Sequence, residues 1–520
     1  MATASQDRPL IPLPAGTRGL TAFALALGTF MQVLDTTIAN VSLPTIAGNV
    51  GVSANQGTWI ITSFAVSNGI CVPLTGWLMQ RYGVVRTFVT SVALFTLASF
   101  LCGIAWSFES LIAFRVLQGL VAGPMNPLSQ TLLLTSYPRA KAGTALAMWG
   151  VVVLVAPVVG PLLGGWITDN ISWPWIFFIN VPVGMLAMAL TWSVYRHRDD
   201  PPQRLPLDRI GLVLLVLFVG ALQIMLDKGR ELDWLESNLI VVLAIVAVVG
   251  FVVFLAWELT AEHPIVDLRL FGQRNFAAGT LSMAVAFGQY FGIVVLLPLW
   301  LQEYMGYTPT WAGIAIAPVG LLAIVLAPWV GRRVAHTDAR LLASVAFVAF
   351  AFVMWFRSRF DTNIDVGPVI EASFLQGIGT AFFFIPLQAI IFSGLGQDRL
   401  ASAAGLSNFA RLTAGAVGTS IYTTQWDNLA AMHHAHLAET VNPGNLAAVQ
   451  TLGQLQAAGL SQPQALELVN RLVDQQAYTM AATDLFYVSA LMFIVLIGFI
   501  WLARPQGLHA GGGGVGGDAH

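Results

Sequence analysis

About fourteen blocks of roughly 20 mostly apolar residues follow one another along this chain, and each block is long enough to cross a lipid bilayer as a helix. Only 10% of the 520 residues are charged, compared with roughly 25% in soluble domains. The two cysteines, Cys71 and Cys102, lie inside apolar blocks, where buried thiols are expected. The chain is therefore predicted to be an all-α integral membrane protein. A water-soluble enzyme, a nucleic-acid binder and a secreted disulfide scaffold are excluded.

The apolar blocks predict spans near residues 19–43, 58–80, 87–107, 110–132, 142–167, 174–195, 208–227, 237–258, 276–301, 309–330, 339–356, 366–393, 401–424 and 484–503. Their orientation follows from the concentration of Lys and Arg in cytoplasmic loops. Of the 24 Lys and Arg residues, seventeen lie in one set of alternating segments, five lie in the other set, and two lie within spans. This asymmetry predicts that both termini are cytoplasmic and that the number of spans is even.

A weak internal repeat links the fourth and twelfth spans. The sequence Arg-Val-Leu-Gln-Gly at 115–119 is similar to Ser-Phe-Leu-Gln-Gly at 373–377, with the Gln-Gly pairs 258 positions apart. The same offset carries Gly160 onto Gly418. Two six-helix bundles with two extra transmembrane helices between them would produce this shift. Secondary transporters contain such repeats, and their binding site lies between the halves near the bilayer midplane.

Two opposite charges, Asp35 and Arg115, are predicted to lie at one level in the membrane, each roughly 8 Å from the outer face at 1.5 Å per helical residue. Charged groups at such depth are costly and are candidates for function. Arg115 and Gln118 share one face of the fourth span, and a polar stripe follows the first span at helical spacing, formed by Gln32, Asp35, Thr36 and Asn40. Because lipid does not tolerate such faces, both are expected to face the interior of the bundle.

Two interpretations of this predicted pair are open. The proton affinity of a buried carboxylate depends on its desolvation and on nearby cations. Asp35 is therefore a candidate for exchanging a coupling proton, with Arg115 binding substrate or tuning Asp35. The alternative is a static ion pair that braces the bundle.

A third charge, Arg411, lies near the middle of the thirteenth span, with Asn408 one turn earlier on the same face. Both residues are candidates for lining a substrate cavity, together with the polar residues of the first and fourth spans. No acidic partner is evident at this depth. Contact with an anionic substrate and contact with a carboxylate of the second half are both open for Arg411.

Two segments rich in glycine are candidates for a conformational role. The fifth span contains Gly160, Pro161, Gly164 and Gly165, a pattern that kinks a helix and lets another backbone approach closely. Ordinary packing by small residues is the simpler interpretation. After the second span comes a tight turn with two positive charges, which includes Gly76, Arg81, Gly83 and Arg86.

These segments together resemble the major facilitator superfamily, and within it the fourteen-helix drug:proton antiporter branch (DHA2) of the EmrB/QacA type. The sequence from Leu34 to Pro44 is similar to the branch's first-helix motif, and Arg115 with Gln118-Gly119 is similar to its fourth-helix motif. The Gly160-Pro161 and Gly164-Gly165 pairs are similar to the fifth-helix antiporter motif. The resemblance implies a major facilitator fold and proton-driven export of hydrophobic drugs or toxic compounds, with Asp35 and Arg115 in proton coupling.

The chain departs from the superfamily pattern at Gln80, where an Asp usually precedes the basic residue of the cytoplasmic turn. A charge switch that uses this Asp cannot operate here. The second-half counterpart, between Gly331 and Arg340, is looser still.

Other functions have weaker support in the sequence. Proton-coupled uptake of a small organic solute is the alternative within transport, and the fifth-helix pattern argues against it. An integral-membrane enzyme would show clustered ligands or a nucleophile, whereas the only dense histidines lie in a polar loop at 433–436. A channel would not require paired intramembrane charges. No phosphate-binding Walker A motif is present, so we expect no cofactor, with the proton as coupling ion.

The chain is predicted to contain a cytoplasmic tail (1–18), a six-helix bundle (19–197), two additional helices (198–262), a second bundle (263–504) and a Gly-rich cytoplasmic tail (505–520). The longest extramembrane segment, 425–483, is predicted to be periplasmic and to contain two short amphipathic helices joined at 459–463. These helices either pack on the outer mouths of the spans or bind a partner. The resemblance implies a bacterial inner-membrane location, an EmrA-like periplasmic membrane-fusion adaptor and a TolC-like outer-membrane channel.

Overall fold

The structure is a computed structural model that describes residues 13–52, 54–138, 141–196, 206–262, 264–334, 336–396 and 399–505. Most of both predicted tails lies outside these ranges. The described residues form helices and connecting turns, with no strand among them. The first half contains α1 (Ala15–Asn49), α2 (Ala54–Gly57), α3 (Trp59–Cys71), α4 (Thr75–Tyr82), α5 (Val84–Gly103), α6 (Phe108–Ala122), α7 (Met125–Ser136), α8 (Ala142–Asn170), α9 (Trp175–Phe178) and α10 (Asn180–Tyr195).

Two helices connect the halves, α11 (Arg209–Lys228) and α12 (Asn238–Thr260). The second half contains α13 (Arg274–Glu303), α14 (Pro309–Ile316), α15 (Pro318–Arg333), α16 (Ala339–Arg357), α17 (Val366–Phe392), α18 (Leu400–Ala438), α19 (Leu446–Ala457) and α20 (Gln462–Ile500). Each predicted span overlaps one of these helices or a broken pair of them.

Several spans are broken rather than continuous. In the described residues, ten helices are long and apolar enough to cross a membrane, and α3 with α4, bent by 59°, makes an eleventh. The bend lies at Pro73, which has no backbone N–H to donate to the helix, and Pro124 likewise separates α6 from α7. The all-helical membrane class is confirmed, while the count of fourteen spans stays a prediction.

The internal repeat is visible in the helix packing. At Gly119, α6 packs so closely on α3 that an added Cβ would lie 2.8 Å from a side-chain carbon, and at Gly377, α17 packs on α15 at the same 2.8 Å. Gly160 and Gly418 likewise bring α8 onto α1 and α18 onto α13. Glycines that lie 258 residues apart therefore make equivalent helix contacts in the two bundles.

The two halves meet toward the helix ends that the charge distribution places in the cytoplasm, called the cytoplasmic ends below. Asn408 Nδ2 on α18 donates a hydrogen bond to Gln130 Oε1 on α7 at 3.0 Å. The ring of Trp149 on α8 lies edge-on to that of Phe384 on α17, with centroids 6.3 Å apart. These contacts bring the two halves together near the cytoplasmic ends.

The outer end of α11 contacts both halves. Thr62 on α3 donates a hydrogen bond to Asp227, near the end of α11. Just beyond α11, Arg230 forms an ion pair with Asp427 on α18, with Nε and Oδ2 2.5 Å apart. The outer end of α11 therefore joins the two halves.

Residues 425–483 differ from the prediction of a separate segment with two short helices. The helix α18 continues to Ala438, and α20 begins at Gln462 and runs without a break into the last span. Only α19 is a separate short helix, and Gly459 has a φ of 96° in the turn that follows it. The apolar spacing does indicate helices, but extending an existing helix avoids the cost of a new nucleus.

Candidate functional site

Asp35 lies fully buried at the centre of a hydrogen-bonded network. Its Oδ2 accepts a hydrogen bond from Arg115 Nη1 at 2.6 Å, and its Oδ1 accepts from Gln118 Nε2 and from Asn180 Nδ2, both at 3.0 Å. The side chains of Asp35 and Arg115 are 0% and 1% exposed. The prediction that these two charges share one level in the membrane is confirmed.

Arg115 is held by groups from several helices. Its Nε donates to the backbone oxygen of Ile60 at 2.9 Å, and its Nη1 also donates to Gln118 Oε1 at 2.7 Å. The guanidinium lies over the ring of Phe64, 4.3 Å from its centroid, and 5.6 Å from that of Phe177. Such cation–π contacts strengthen when the cation is desolvated. The guanidinium therefore joins α1 to α3, α6 and α9.

Two members of the network are absent from the sequence prediction. Ser99 Oγ on α5 accepts hydrogen bonds from Gln118 Nε2 at 2.6 Å and from Asn180 Nδ2 at 3.0 Å. Asn180 is a polar residue in an apolar block, which is the signal that also marks Gln118. Ser99 carries no such signal, because a serine within a helix can bond to its own backbone.

This arrangement holds the carboxylate of Asp35 beside the guanidinium of Arg115, away from solvent. A buried ion pair is tolerated because each charge compensates the desolvation of the other, and removing one charge costs about 3–5 kcal/mol.

The predicted polar stripe on α1 is divided among different neighbours. Gln32 Oε1 accepts a hydrogen bond from Asn126 Nδ2 on α7 at 2.6 Å, while Thr36 Oγ1 donates to Val33 O of its own helix at 2.6 Å. The side chain of Asn40 lies outside the described ones. Among the described side chains of the stripe, Asp35 is the one that hydrogen-bonds to Arg115.

The glycines of α8 face α1 in the same half. A Cβ added at Gly160 would collide with Thr37 Oγ1, and one added at Gly164 would lie 2.7 Å from the backbone oxygen of Ile38. Gly165 is half-buried, and the side chain of Pro161 lies outside the described ones. Helix α8 packs against α15 and α17 of the second half, whereas Gly160 and Gly164 point toward α1 of their own half.

Leucine at Gly160 is expected to collide with Thr37 on α1, which lies two residues after Asp35, and so to displace α1. Overpacking of this kind costs about 1–3 kcal/mol. Transport should be lost, with a lower unfolding temperature in detergent. Gly498→Leu is the matched control, because an added Cβ there meets nothing within 4 Å. Wild-type turnover in Gly160→Leu would show that the approach of α8 to α1 is dispensable.

The predicted cytoplasmic turn joins α4 to α5. Gly83 has a φ of 89°, in the left-handed region that glycine adopts without strain. The Arg81 guanidinium lies 5.6 Å from the ring centroid of Trp77. Arg86 and Gln80 are both exposed. Gly83 therefore supplies the backbone conformation of the turn, and Arg81 packs against an aromatic ring.

Gly76 lies where the halves meet. An added Cβ there would lie 2.6 Å from Ser402 Oγ and 3.2 Å from Ser402 Cα, at the beginning of α18. This glycine, rather than the α8 pair, allows close approach of the two halves.

Arg411 lies on α18 between the halves and is 1% exposed. Its Nη2 donates to Asn408 Oδ1 at 2.8 Å, and Asn408 in turn bonds to Gln130 across the halves. No ion pair involves Arg411 in the described residues, and its Nε has no hydrogen-bond partner. Three aromatic rings surround the guanidinium, with centroid distances of 4.7 Å to Phe287, 5.6 Å to Phe384 and 5.8 Å to Trp149.

Comparison with known proteins places this geometry in a family. The sequence profile of the Major Facilitator Superfamily matches residues 25–419. The chain is 49% identical over 510 residues to the multidrug export protein EmrB of Escherichia coli K12, covering 98% of this chain and 99% of that protein. It is 46% identical over 503 residues to the fatty acid resistance protein FarB of Neisseria gonorrhoeae, covering 97% and 99%.

A solved structure shares the fold. The human organic anion transporter MFSD10 (TETRAN) is similar with a TM-score of 0.58 and 13% sequence identity, covering 94% of this chain and 100% of that one. At this identity the likeness concerns the fold alone.

Proposed function

The chain belongs to the major facilitator superfamily and within it to the EmrB-type multidrug exporters, and from this premise we propose that it is a proton-driven antiporter. As a member of this family it is a multidrug efflux transporter with multiple membrane passes, not an enzyme. The exported compounds are hydrophobic drugs and toxic small molecules. The coupling ion is the proton, and no other cofactor takes part.

The observation that carries the proposal is the buried ion pair of Asp35 and Arg115, at 2.6 Å. Asp35 is the carboxylate among the described residues that pairs with Arg115. A proton that reaches Asp35 neutralises it and weakens the ion pair that holds α1 to α6. Loss of the proton restores the ion pair, so the two protonation states favour two arrangements of the first half. A static brace would need no such exchange.

The closed cytoplasmic ends support alternating access. The hydrogen bond from Asn408 to Gln130 and the contact of Trp149 with Phe384 cross between the halves. Loading a compound from the cytoplasm requires these contacts to separate, and release requires them to re-form. With both termini in the cytoplasm of a bacterium, the outer ends of the helices face the periplasm across the inner membrane.

Proteoliposomes test the coupling. A pH gradient across the vesicle membrane should drive uphill movement of a hydrophobic fluorescent compound opposite to the direction of proton flow. Movement of compound and proton in the same direction would instead support the uptake symporter. Compound movement without any proton movement would contradict both.

We also propose that the segment around α19 contacts an EmrA-like periplasmic adaptor, linking the pump to a TolC-like outer-membrane channel. Apolar side chains there are exposed, among them Leu446 at 70%, Leu472 at 52% and Val449 at 47%. A groove of about 310 Å³ lies between α19, α20 and the end of α18. Exposed apolar patches beyond the membrane are typical of protein–protein contacts.

Replacing 439–461 with a Gly/Ser linker is expected to spare transport in vesicles and to abolish drug resistance in cells. The replacement keeps α18 and α20 whole, and it keeps the ring of Tyr478 on α20 stacked on that of Tyr304 at the end of α13, with centroids 4.1 Å apart. A wider replacement would cut into these contacts. Drug susceptibility and co-purification of the adaptor are the measurements. Full resistance with adaptor still bound would show that docking uses other surfaces, and a loss of vesicle transport would show that the segment stabilises the pump itself.

A further inference from the structure

The buried arginines Arg115 and Arg411, one in each half, differ in whether a carboxylate neutralises them. In the first half, Arg115 is neutralised by a carboxylate of the chain itself. The second half has a fully buried guanidinium at Arg411 that forms no ion pair among the described residues. An ion taken out of water without a counter-charge costs several kcal/mol. A negatively charged group from outside the chain would compensate this cost.

The surroundings of Arg411 fit an amphipathic ligand. Trp149 belongs to the first half, and Phe287 and Phe384 belong to the second, so the three rings approach the guanidinium from both sides of the contact between the halves. Transporters of this architecture bind their substrates between the halves. The rings offer apolar surface beside a single positive charge.

We propose that Arg411 binds the negatively charged head group of an amphipathic organic anion, whose apolar body packs against Trp149, Phe287 and Phe384. The free Nε of Arg411 supplies a donor for that head group. This inference rests on the proposed export function and names a substrate class for it. Neutral hydrophobic compounds would use the same rings without the charge.

The cytoplasmic closure explains why the site is covered. Trp149 and Gln130, both from the first half, lie over Arg411 and its partner Asn408. Separation of the cytoplasmic ends withdraws both covering side chains and exposes the guanidinium to the cytoplasm. The anion therefore loads from the cytoplasm when the halves part on that side.

Arg357 provides a matched control, because it is also buried and also lacks a carboxylate partner in the described part of the chain. It is the last residue of α16. Its Nη2 donates to Ser373 Oγ on α17 at 3.2 Å, within the second half. A change at Arg357 removes a buried charge without altering the contact between the halves.

Two fluorescent probes with the same aromatic skeleton test the assignment. 8-Anilinonaphthalene-1-sulfonate carries a permanent negative charge, and N-phenyl-1-naphthylamine lacks the sulfonate. Both are titrated against the full chain in lipid nanodiscs, with the signal of empty nanodiscs subtracted. Arg411→Gln should weaken binding of the sulfonate about 10- to 100-fold, the expected effect of losing a charge-assisted hydrogen bond. Binding of the neutral probe should not change.

The variants separate a binding role from a structural one. Arg411→Lys should retain part of the sulfonate affinity, because it keeps the charge but not the planar fork. Arg357→Gln should leave both probes at wild-type affinity. Equal weakening of both probes by Arg411→Gln, or no weakening of either, would overturn the proposal. If Arg411→Gln does not fold, Arg411→Lys is used instead, and it should lower the affinity for the sulfonate probe without changing the affinity for the neutral probe. A failure of proton coupling at Asp35 would leave this difference in binding intact.

Discussion

Vesicles that contain Asp35→Asn are expected to lose all accumulation of drug against its gradient while still binding drug. Asparagine has nearly the same shape but cannot exchange a proton, so a pH gradient can no longer act on α1. Arg115 would also lose its counter-charge, which costs about 3–5 kcal/mol for a buried pair. Drug accumulation driven by an imposed pH gradient is the measurement, with unfolding temperature recorded beside it.

The double variant Asp35→Asn/Arg115→Gln distinguishes coupling from bracing. Removing both charges relieves the unpaired cation, so stability should recover while uphill transport stays absent. Ser42→Ala is the matched control on the same helix, because Ser42 bonds to Thr168 outside the network. Restored uphill transport in the double variant would mean that the pair is only a brace. Arg115→Lys should transport weakly, since one amine cannot replace the separate donors that reach Ile60, Asp35 and Gln118.

Gly76→Leu is expected to hold the cytoplasmic ends apart and to lower turnover about 10- to 100-fold, as a bias of about 1–3 kcal/mol between two conformations would. The reason is the contact of α4 with Ser402, where even a Cβ would lie 2.6 Å from the hydroxyl oxygen. Ser407 is 1% exposed on the adjoining part of α18. A Ser407→Cys variant lacking Cys71 and Cys102 should react faster with a membrane-impermeant thiol reagent from the cytoplasmic side when Gly76→Leu is present.

Gly19→Leu is the control for this experiment. Gly19 also lies near a cytoplasmic end, but an added Cβ there meets nothing within 4 Å. Its turnover and its labelling at position 407 should match the parent protein. Unchanged labelling in Gly76→Leu would show that α4 and α18 do not form the moving contact.

The sequence predicted some features correctly because they depend on one helix at a time. The apolar blocks mark the helices, since bilayer thickness sets the length of a span. Counting residues from the helix ends placed Asp35 and Arg115 at one level, and the structure pairs them at 2.6 Å. The family likewise follows from local motifs, which the 49% identity to an EmrB protein confirms.

The sequence by itself thus determined the membrane class, the approximate position of the spans and the common level of Asp35 and Arg115. Only the tertiary structure decided that Ser99 and Asn180 complete this network, and that Gly160 faces α1 rather than the other half. The tertiary structure also showed that aromatic rings from both halves surround Arg411. Helical periodicity shows which residues share a face, but the neighbour that this face meets depends on how each helix is rotated and packed among the others.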